Sequence, residues 1–287
     1  MNRLRSRMTP YLLVLPGGLW LTIFFVIPMI YMLSVSLMTG NVIDGFRLTF
    51  HFPTYVHALG LYHDQLIRSL IYGLIATALC IALAYPVAYW IAFRGGSRKS
   101  TFLFLILLPF FVSFVLRTIS WQFFLSDNGI VLGTLKSWHL LPAGFSVLSS
   151  APAVIFGLAY NFLPFMVLPI YVALERVDHS LVEASYDLYA SRLQAFLRVV
   201  LPLSLPGVFA GVLMTFVPAS SDYINASVLG GPENTMIGNV IQNQYFVASD
   251  YPTAAALSFI LMAVLLVGIF IYARALGTED VLEAAAG

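Results

Sequence analysis

Cysteine and charge are the two things this 287-residue sequence has least of. There is one cysteine, Cys80, so neither a disulfide framework nor a cysteine-built metal cluster is available. Charged residues make up only 9% of the chain, well below the usual quarter. The 14 Lys and Arg against 13 Asp and Glu leave a net charge of +1, with no basic patch to neutralise phosphates, which excludes nucleic acid as a partner. No G-x-x-x-x-G-K-[ST] phosphate loop occurs, so the chain does not cleave ATP in the usual way. His51, His57 and His63 recur every six residues, which places neighbours on different helix faces and argues against a metal site. Clustered His, Asp or Cys of the kind a membrane enzyme needs are also missing.

What is present is apolar: 60% of the residues are hydrophobic and the mean hydropathy is +0.90. Charge is absent between Arg7 and Asp44, Arg68 and Arg94, Lys99 and Arg117, Lys136 and Glu175, Arg198 and Asp222, and Asp250 and Arg274. Each gap holds a helix of roughly 17–25 residues, enough to cross a hydrocarbon core about 30 Å thick, once Arg117 is admitted to the outer turns of the third. The pattern predicts an all-α membrane protein of six transmembrane helices, at about 11–36, 66–93, 100–125, 150–174, 204–227 and 252–273. The first is too long for the core of a signal peptide and is read as retained. Ten of the Lys and Arg fall on one side: Arg3, Arg5, Arg7, Arg94, Arg98, Lys99, Arg176, Arg192, Arg198 and Arg274. That side, with both termini, is expected to be cytoplasmic. Gly, Pro, Asn and aromatics in 37–65, 126–149 and 228–251 predict outer turns with short interfacial helices. Pro28, Pro86, Pro109, Pro164, Pro169 and Pro218 lie inside spans and are expected to kink them.

One stretch departs from the apolar rule, "EASYDLYASRLQAFLRVVLPLSLPG" from Glu183 to Gly207. Val182, Tyr186, Tyr189, Leu193, Phe196, Leu197 and Val200 form one helical stripe, opposite Asp187, Ser191, Gln194 and Arg198. Ser180 with Glu183 has the capping-box spacing. A lipid-lying helix would show a cationic polar face, and here Glu183 and Asp187 balance Arg192 and Arg198. A solvated loop and a helix laid into a partner's groove both fit the pattern.

The stretch resembles the EAA loop of ATP-binding-cassette importer permeases. Glu183-Ala184 match its start, Leu201-Pro202 its end, and Pro206-Gly207 the continuation into the next span. "YPVAYWIA", "LPFFVSFVLRTISW", "LPFMVLPIY" and "SSDYINASVLGGPENTMIGNVI" extend the likeness over nearly the whole chain, nearest to the spermidine/putrescine-type permeases. The resemblance implies a single permease domain of the type I importer fold over 1–287, in the inner or plasma membrane of a prokaryote. It implies a cytoplasmic coupling loop at 175–203, with Glu183, Ala184, Ser185, Asp187 and Tyr189 meeting an ATPase. It also implies a second permease subunit, an ATPase dimer holding ATP and Mg, and an extracytoplasmic solute-binding protein. The chain itself is then non-catalytic and carries no cofactor. Ser185 stands where the motif has alanine, and Tyr189 where it has a turn glycine. Tyrosine is strained at a left-handed turn, so either another turn conformation or an uninterrupted helix is expected.

For the pathway, 1.5 Å per residue puts Asp222 roughly 27–35 Å up span five and Arg117 about 25 Å up span three. Ionisable residues at such depth point to function. Asp222, with Ser220, Ser221, Tyr223 and Asn225, is expected to line an outer gate for a cation; alternatively Asp222 and Arg117 simply pair or reach interfacial water. Tyr160 and Asn161 in span four are further pathway candidates. Polyamines are the expected substrate, with another organic solute as the alternative. An ion-coupled secondary transporter is the reading from another class, and it lacks the internal repeat it would need.

Overall fold

The computed structural model describes residues 14–142 and 144–275. Among them, five helices are long and apolar enough to cross a membrane. They are α1 (Val14–Ser36), α2 (Pro53–Arg94), α6 (Ala151–Glu175), α8 (Arg192–Ser221) and α9, which runs over Tyr251–Ala275. Arg3, Arg5 and Arg7 and the first residues of the expected span one lie outside the described residues.

The third span differs from the expected single helix. It is a pair, Gly96–Phe111 and Phe114–Ser137, bent by 88°. The pair contains α3 (Lys99–Leu107), α4 (Phe114–Leu125) and α5 (Ile130–Ser137). Pro109 sits in a tight 3-10 turn over Leu108–Phe111, where its missing N–H costs least. Val112 and Ser113 then take extended ψ values of 140° and 136° before α4 begins. Pro86, Pro164, Pro169, Pro206 and Pro218, by contrast, lie in helices that run on through them, and α2 is interrupted instead at Tyr62 (φ −119°, ψ 16°). Three π-turns, Thr22–Val26, Phe196–Val200 and Ala226–Gly230, each end two residues before a proline, namely Pro28, Pro202 and Pro232. A proline donates no N–H to the turn before it, and the wider turn re-satisfies the backbone there. Ile27 N–H reaches Thr22 O and Leu201 N–H reaches Phe196 O in this way.

The described residues fall into two compact units. One comprises the chain up to Tyr62 with Ile241–Ala263. Here the segment after α1, expected on the outer side, is a β-hairpin rather than the expected interfacial helix. β1 (Met38–Asn41) pairs antiparallel with β2 (Gly45–Leu48), Thr39 opposite Arg47. Asn41 Oδ1 accepts the N–H groups of Ile43 and Asp44, an Asx-type turn that shapes the tip. Ser36 and Tyr55 share a 2.6 Å hydrogen bond, and Phe46 lies against Tyr251.

The other unit is His63–Val240 with the chain from Val264. Its core is built on small residues. Ala76, Cys80, Ala84, Ala88 and Ala92 repeat every four residues on α2, all buried. Such a stripe lets helices approach closely where lipid supplies no hydrophobic drive. Cys80 donates to the Ala159 carbonyl of α6 at 3.3 Å. Along α6 and α8, a Cβ on Gly207 would come within 2.5 Å of the Pro169 carbonyl, so only glycine permits that crossing. Val154, Leu158, Met166, Ile170 and Leu174 fill the centre.

Candidate functional site

Residues 176–203 join α6 to the apolar body of α8. α7 (His179–Asp187) opens on Asp178, whose carboxylate accepts the Ser180 N–H at 2.9 Å. That bond holds the Asp178 carboxyl below its usual range. The expected Ser180 cap with Glu183 is therefore replaced by Asp178. A capping box does form, but at Ser191, whose hydroxyl accepts from Gln194 N–H while Gln194 Oε1 accepts from Ser191 N–H. The S-x-x-Q spacing at 191–194 was the signal for it.

Between the two helices α7 closes in a Schellman arrangement. Ala190 N–H reaches Ser185 O at 3.0 Å and Tyr189 N–H reaches Tyr186 O at 2.9 Å. Tyr189 occupies the left-handed position, φ 58°. The turn is thus the one a glycine would make, performed by tyrosine, which replaces both expected alternatives. It costs a non-glycine residue roughly 1–2 kcal/mol.

The turn also splits the expected apolar stripe. Val182, Phe196 and Val200 pack inward on the core. Tyr186, Leu188, Tyr189, Leu193 and Leu197 face out, with Tyr189 98% and Leu188 81% exposed. Glu183, Ala184 and Asp187 are exposed beside them, and neither carboxylate joins an ion pair among the described residues. Ser185 is half-buried and donates its hydroxyl to Val182 O.

The inner face is clamped to α2. Tyr85, Tyr89 and Phe93 stand at i, i+4 and i+8, hence on one face. Phe196 meets Tyr85 and Tyr89 edge-on, both at 5.7 Å, and His179 meets Phe93 at 5.1 Å. Tyr85 Oη and Ser204 Oγ share a 2.7 Å bond, and Lys99 Nζ sits 3.0 Å from both Glu175 oxygens. The sequence reading missed this ladder, although the 85-89-93 aromatic spacing was visible.

The expected pathway residues are only partly brought together. Asn161 Nδ2 donates to Thr118 Oγ1 and Asn225 Oδ1, each at 3.1 Å, and all three residues are fully buried. Asn161 Oδ1 and Asn225 Nδ2 remain buried without partners. Thr118 was not foreseen, because hydroxyls are common in spans and carry no distinct signal. Asp222 accepts the Asn225 N–H at 2.7 Å and thereby caps the turn that follows α8. It makes no ion pair with Arg117, contrary to the pairing alternative. Arg117 lies 7% exposed with its guanidinium carbon 4.4 Å from the Phe110 ring centre. Its Nε has no partner. Tyr160 stacks edge-on with Trp121, Ser221 bonds back to Val217 and Pro218 carbonyls, and Tyr223 is exposed. Ser220 is buried against Gly73, and its hydroxyl has no partner.

Residues 84–276, which include the loop and the polar cluster, match the model of the family described as binding-protein-dependent transport system inner membrane component. The chain belongs to this family. It is 35% identical over 257 residues to the spermidine/putrescine transport system permease protein PotB of Escherichia coli (strain K12), covering 89% of this chain and 94% of that one. Identity to PotB of Haemophilus influenzae is 34%, covering 89% and 90%. The inner membrane ABC transporter permease protein YdcU of Escherichia coli (strain K12) is 33% identical over 77% of this chain and 74% of its own length. Among solved structures, a bacterial ABC transporter involved in the import of the acidic polysaccharide alginate superposes with a TM-score of 0.70. It is 21% identical, covering 96% of this chain and 99% of that one. The inward-facing MetNI methionine ABC transporter gives 0.58 at 18% identity, covering 76% and 97%. At these identities the structures establish the fold. The protein is accordingly the membrane-embedded permease subunit of an ABC importer, a non-catalytic, multi-pass component of the plasma membrane. An extracytoplasmic binding protein is the kind of partner such a system uses, as the complex of the alginate transporter with its periplasmic protein illustrates.

Proposed function

We propose that this chain forms half of the translocation path of a polyamine importer, and that residues 175–203 are the seat of its ATPase. The observation that carries the substrate class is the 35% identity to PotB over nearly the whole of both chains. A second permease subunit completes the path, a dimer of ATPase subunits binds ATP and Mg, and the binding protein delivers substrate. The side bearing Arg94, Arg98, Lys99, Arg176, Arg192 and Arg198 is cytoplasmic, together with both termini. On that side Glu183, Ala184, Asp187 and Tyr189 meet the ATPase, with Ser185 bracing the helix beneath them. Because Phe196 and His179 rest on α2, a displacement of the loop is passed to the span that carries the small-residue core stripe.

Within the membrane, the buried Thr118–Asn161–Asn225 cluster braces the wall of the path from behind, and Asp222 supports it by fixing the turn that carries Asn225. Arg117, Tyr160, Ser221 and Tyr223 flank it. Uptake of labelled spermidine and putrescine into proteoliposomes holding the complete importer tests this. Glu183→Arg should lower ATP-driven uptake roughly tenfold or more, the scale of about 1.4 kcal/mol of lost coupling. Normal membrane insertion and residual ATP hydrolysis should persist. Unchanged uptake would remove the docking role. One observation favours a second reading, another organic solute: Arg117 is an unpaired buried cation near the polar cluster, an unfavourable neighbour for a polycation. Uptake of neutral or acidic solutes with no polyamine competition would decide for it.

A further inference from the structure

Tyr189 holds a conformation that suits glycine, yet nothing among the described residues repays it. Its backbone is left-handed at φ 58° and its ring is 98% exposed. Its N–H is spent on closing α7, a bond that any residue would make. Beside it Leu188 is 81% and Leu193 67% exposed, so the corner between the two helices ends in an apolar knob with an aromatic summit. Strained, exposed positions of this kind persist where the conformation serves contact with something else.

The chemistry of that contact follows from the surroundings. Asp178, Glu183 and Asp187 match Arg176, Arg192 and Arg198 one for one along residues 176–203, so the loop lacks the cationic excess that an anionic lipid surface would select. The capping box and the Schellman bonds fix the corner in one shape, so little ordering is left to occur on binding. A preorganised tyrosine flanked by two leucines matches the usual anchor of a protein interface, where an aromatic enters a pocket and surrounding apolar groups exclude water. We propose that Tyr189 is the partner-selecting anchor of the coupling loop, inserting its ring into an apolar pocket of the cognate ATPase subunit. This rests on the reading of the loop as the ATPase seat, and adds that one side chain decides which ATPase is held firmly.

The test uses the complete importer in nanodiscs, with exchange of a fluorescently labelled ATPase subunit against excess unlabelled subunit as the readout. Tyr189→Gly is the informative variant, since glycine relieves the backbone strain and the turn is kept. If the tyrosine were merely a turn residue, Y189G would exchange at the wild-type rate or more slowly. The anchor requires faster exchange, by roughly tenfold, with an unchanged yield of membrane-inserted permease. Tyr189→Phe should stay near the wild-type rate and Tyr189→Ala should behave like Y189G or worse. Glu183→Arg separates the two levels. Faster exchange in E183R with wild-type exchange in Y189G overturns the anchor and leaves the docking reading standing. Wild-type exchange and wild-type uptake in both variants overturn the docking reading itself.

Discussion

Ser149 and Tyr189 share one backbone conformation, φ 59° and φ 58°, and differ in what holds them there. Ser149 precedes α6 and is locked by distant groups: its N–H donates to Leu229 O at 2.8 Å, and its carbonyl accepts Asn234 Nδ2 at 3.0 Å. The turn around it belongs to the same polar region that ties Asn234 to Gly230 and to Tyr72. Tyr189 has only the bonds of its own helix end, and the rest of its side chain is turned away from the protein. Both regions are polar interruptions of an apolar chain. After α8 the chain turns its polar groups inward and uses them on backbone. In the coupling loop it turns apolar groups outward and leaves them open. The first arrangement builds the permease, and the second is the face we propose a partner covers.

Variants that break this contrast should rank by how many bonds they remove. Asn234→Ala loses its bonds to Ser149, Gly230 and Tyr72 together and is expected to destabilise the subunit by about 2–3 kcal/mol, a clear drop in the melting temperature of the purified complex. Asn161→Leu strips Thr118 and Asn225 of their shared donor and should cost about 1–3 kcal/mol on the same measurement. Asp222→Ala should cost about 1 kcal/mol, the usual worth of a lost cap, while Asp222→Asn keeps an acceptor and most of the stability. If D222N keeps its fold but loses uptake, the carboxylate charge itself meets substrate. Leu193→Ser on the outward face should change the stability by no more than about 0.5 kcal/mol, leaving the melting temperature close to that of wild type.

The smallest effect is pH-dependent. Asp178 titrates below the ordinary aspartate value of 3.8 because its ionised form accepts the Ser180 N–H. Its capping contribution is therefore complete above 3.8 and fades only as pH falls through the lowered folded value. The protection factors for hydrogen exchange at the start of α7, corrected for the intrinsic pH dependence of exchange, should fall in that acid window and stay flat above it. A change near neutral pH would point to another group.

Much of this was legible beforehand. Charge-free gaps located five continuous spans, because lipid tolerates so few ionised groups that the gaps are the helices. The break at Leu108–Ser113 was hidden, since Pro109 looks the same in sequence as Pro164 or Pro169, which α6 absorbs. The hairpin tip at Asn41–Gly45 carried turn residues but too few flanking β-formers to be read as strands. Asn161 and Asn225 stood out as amides inside spans, whereas Thr118 and the Arg117–Phe110 stack depend on which helix faces meet across the break. At Tyr189 residue type pointed away from the true conformation, because the two bonds that close the helix end hold a left-handed turn whose penalty is only about 1–2 kcal/mol.

The central claim is that the loop between α6 and α8 meets the ATPase. A photo-cross-linking amino acid at position 193, activated in cells making the whole importer, reads this directly. The account predicts one dominant adduct at the combined mass of the permease and the ATPase subunit, lost when Glu183→Arg is added. Adducts to lipid, or to the solute-binding protein from the opposite side of the membrane, would contradict it.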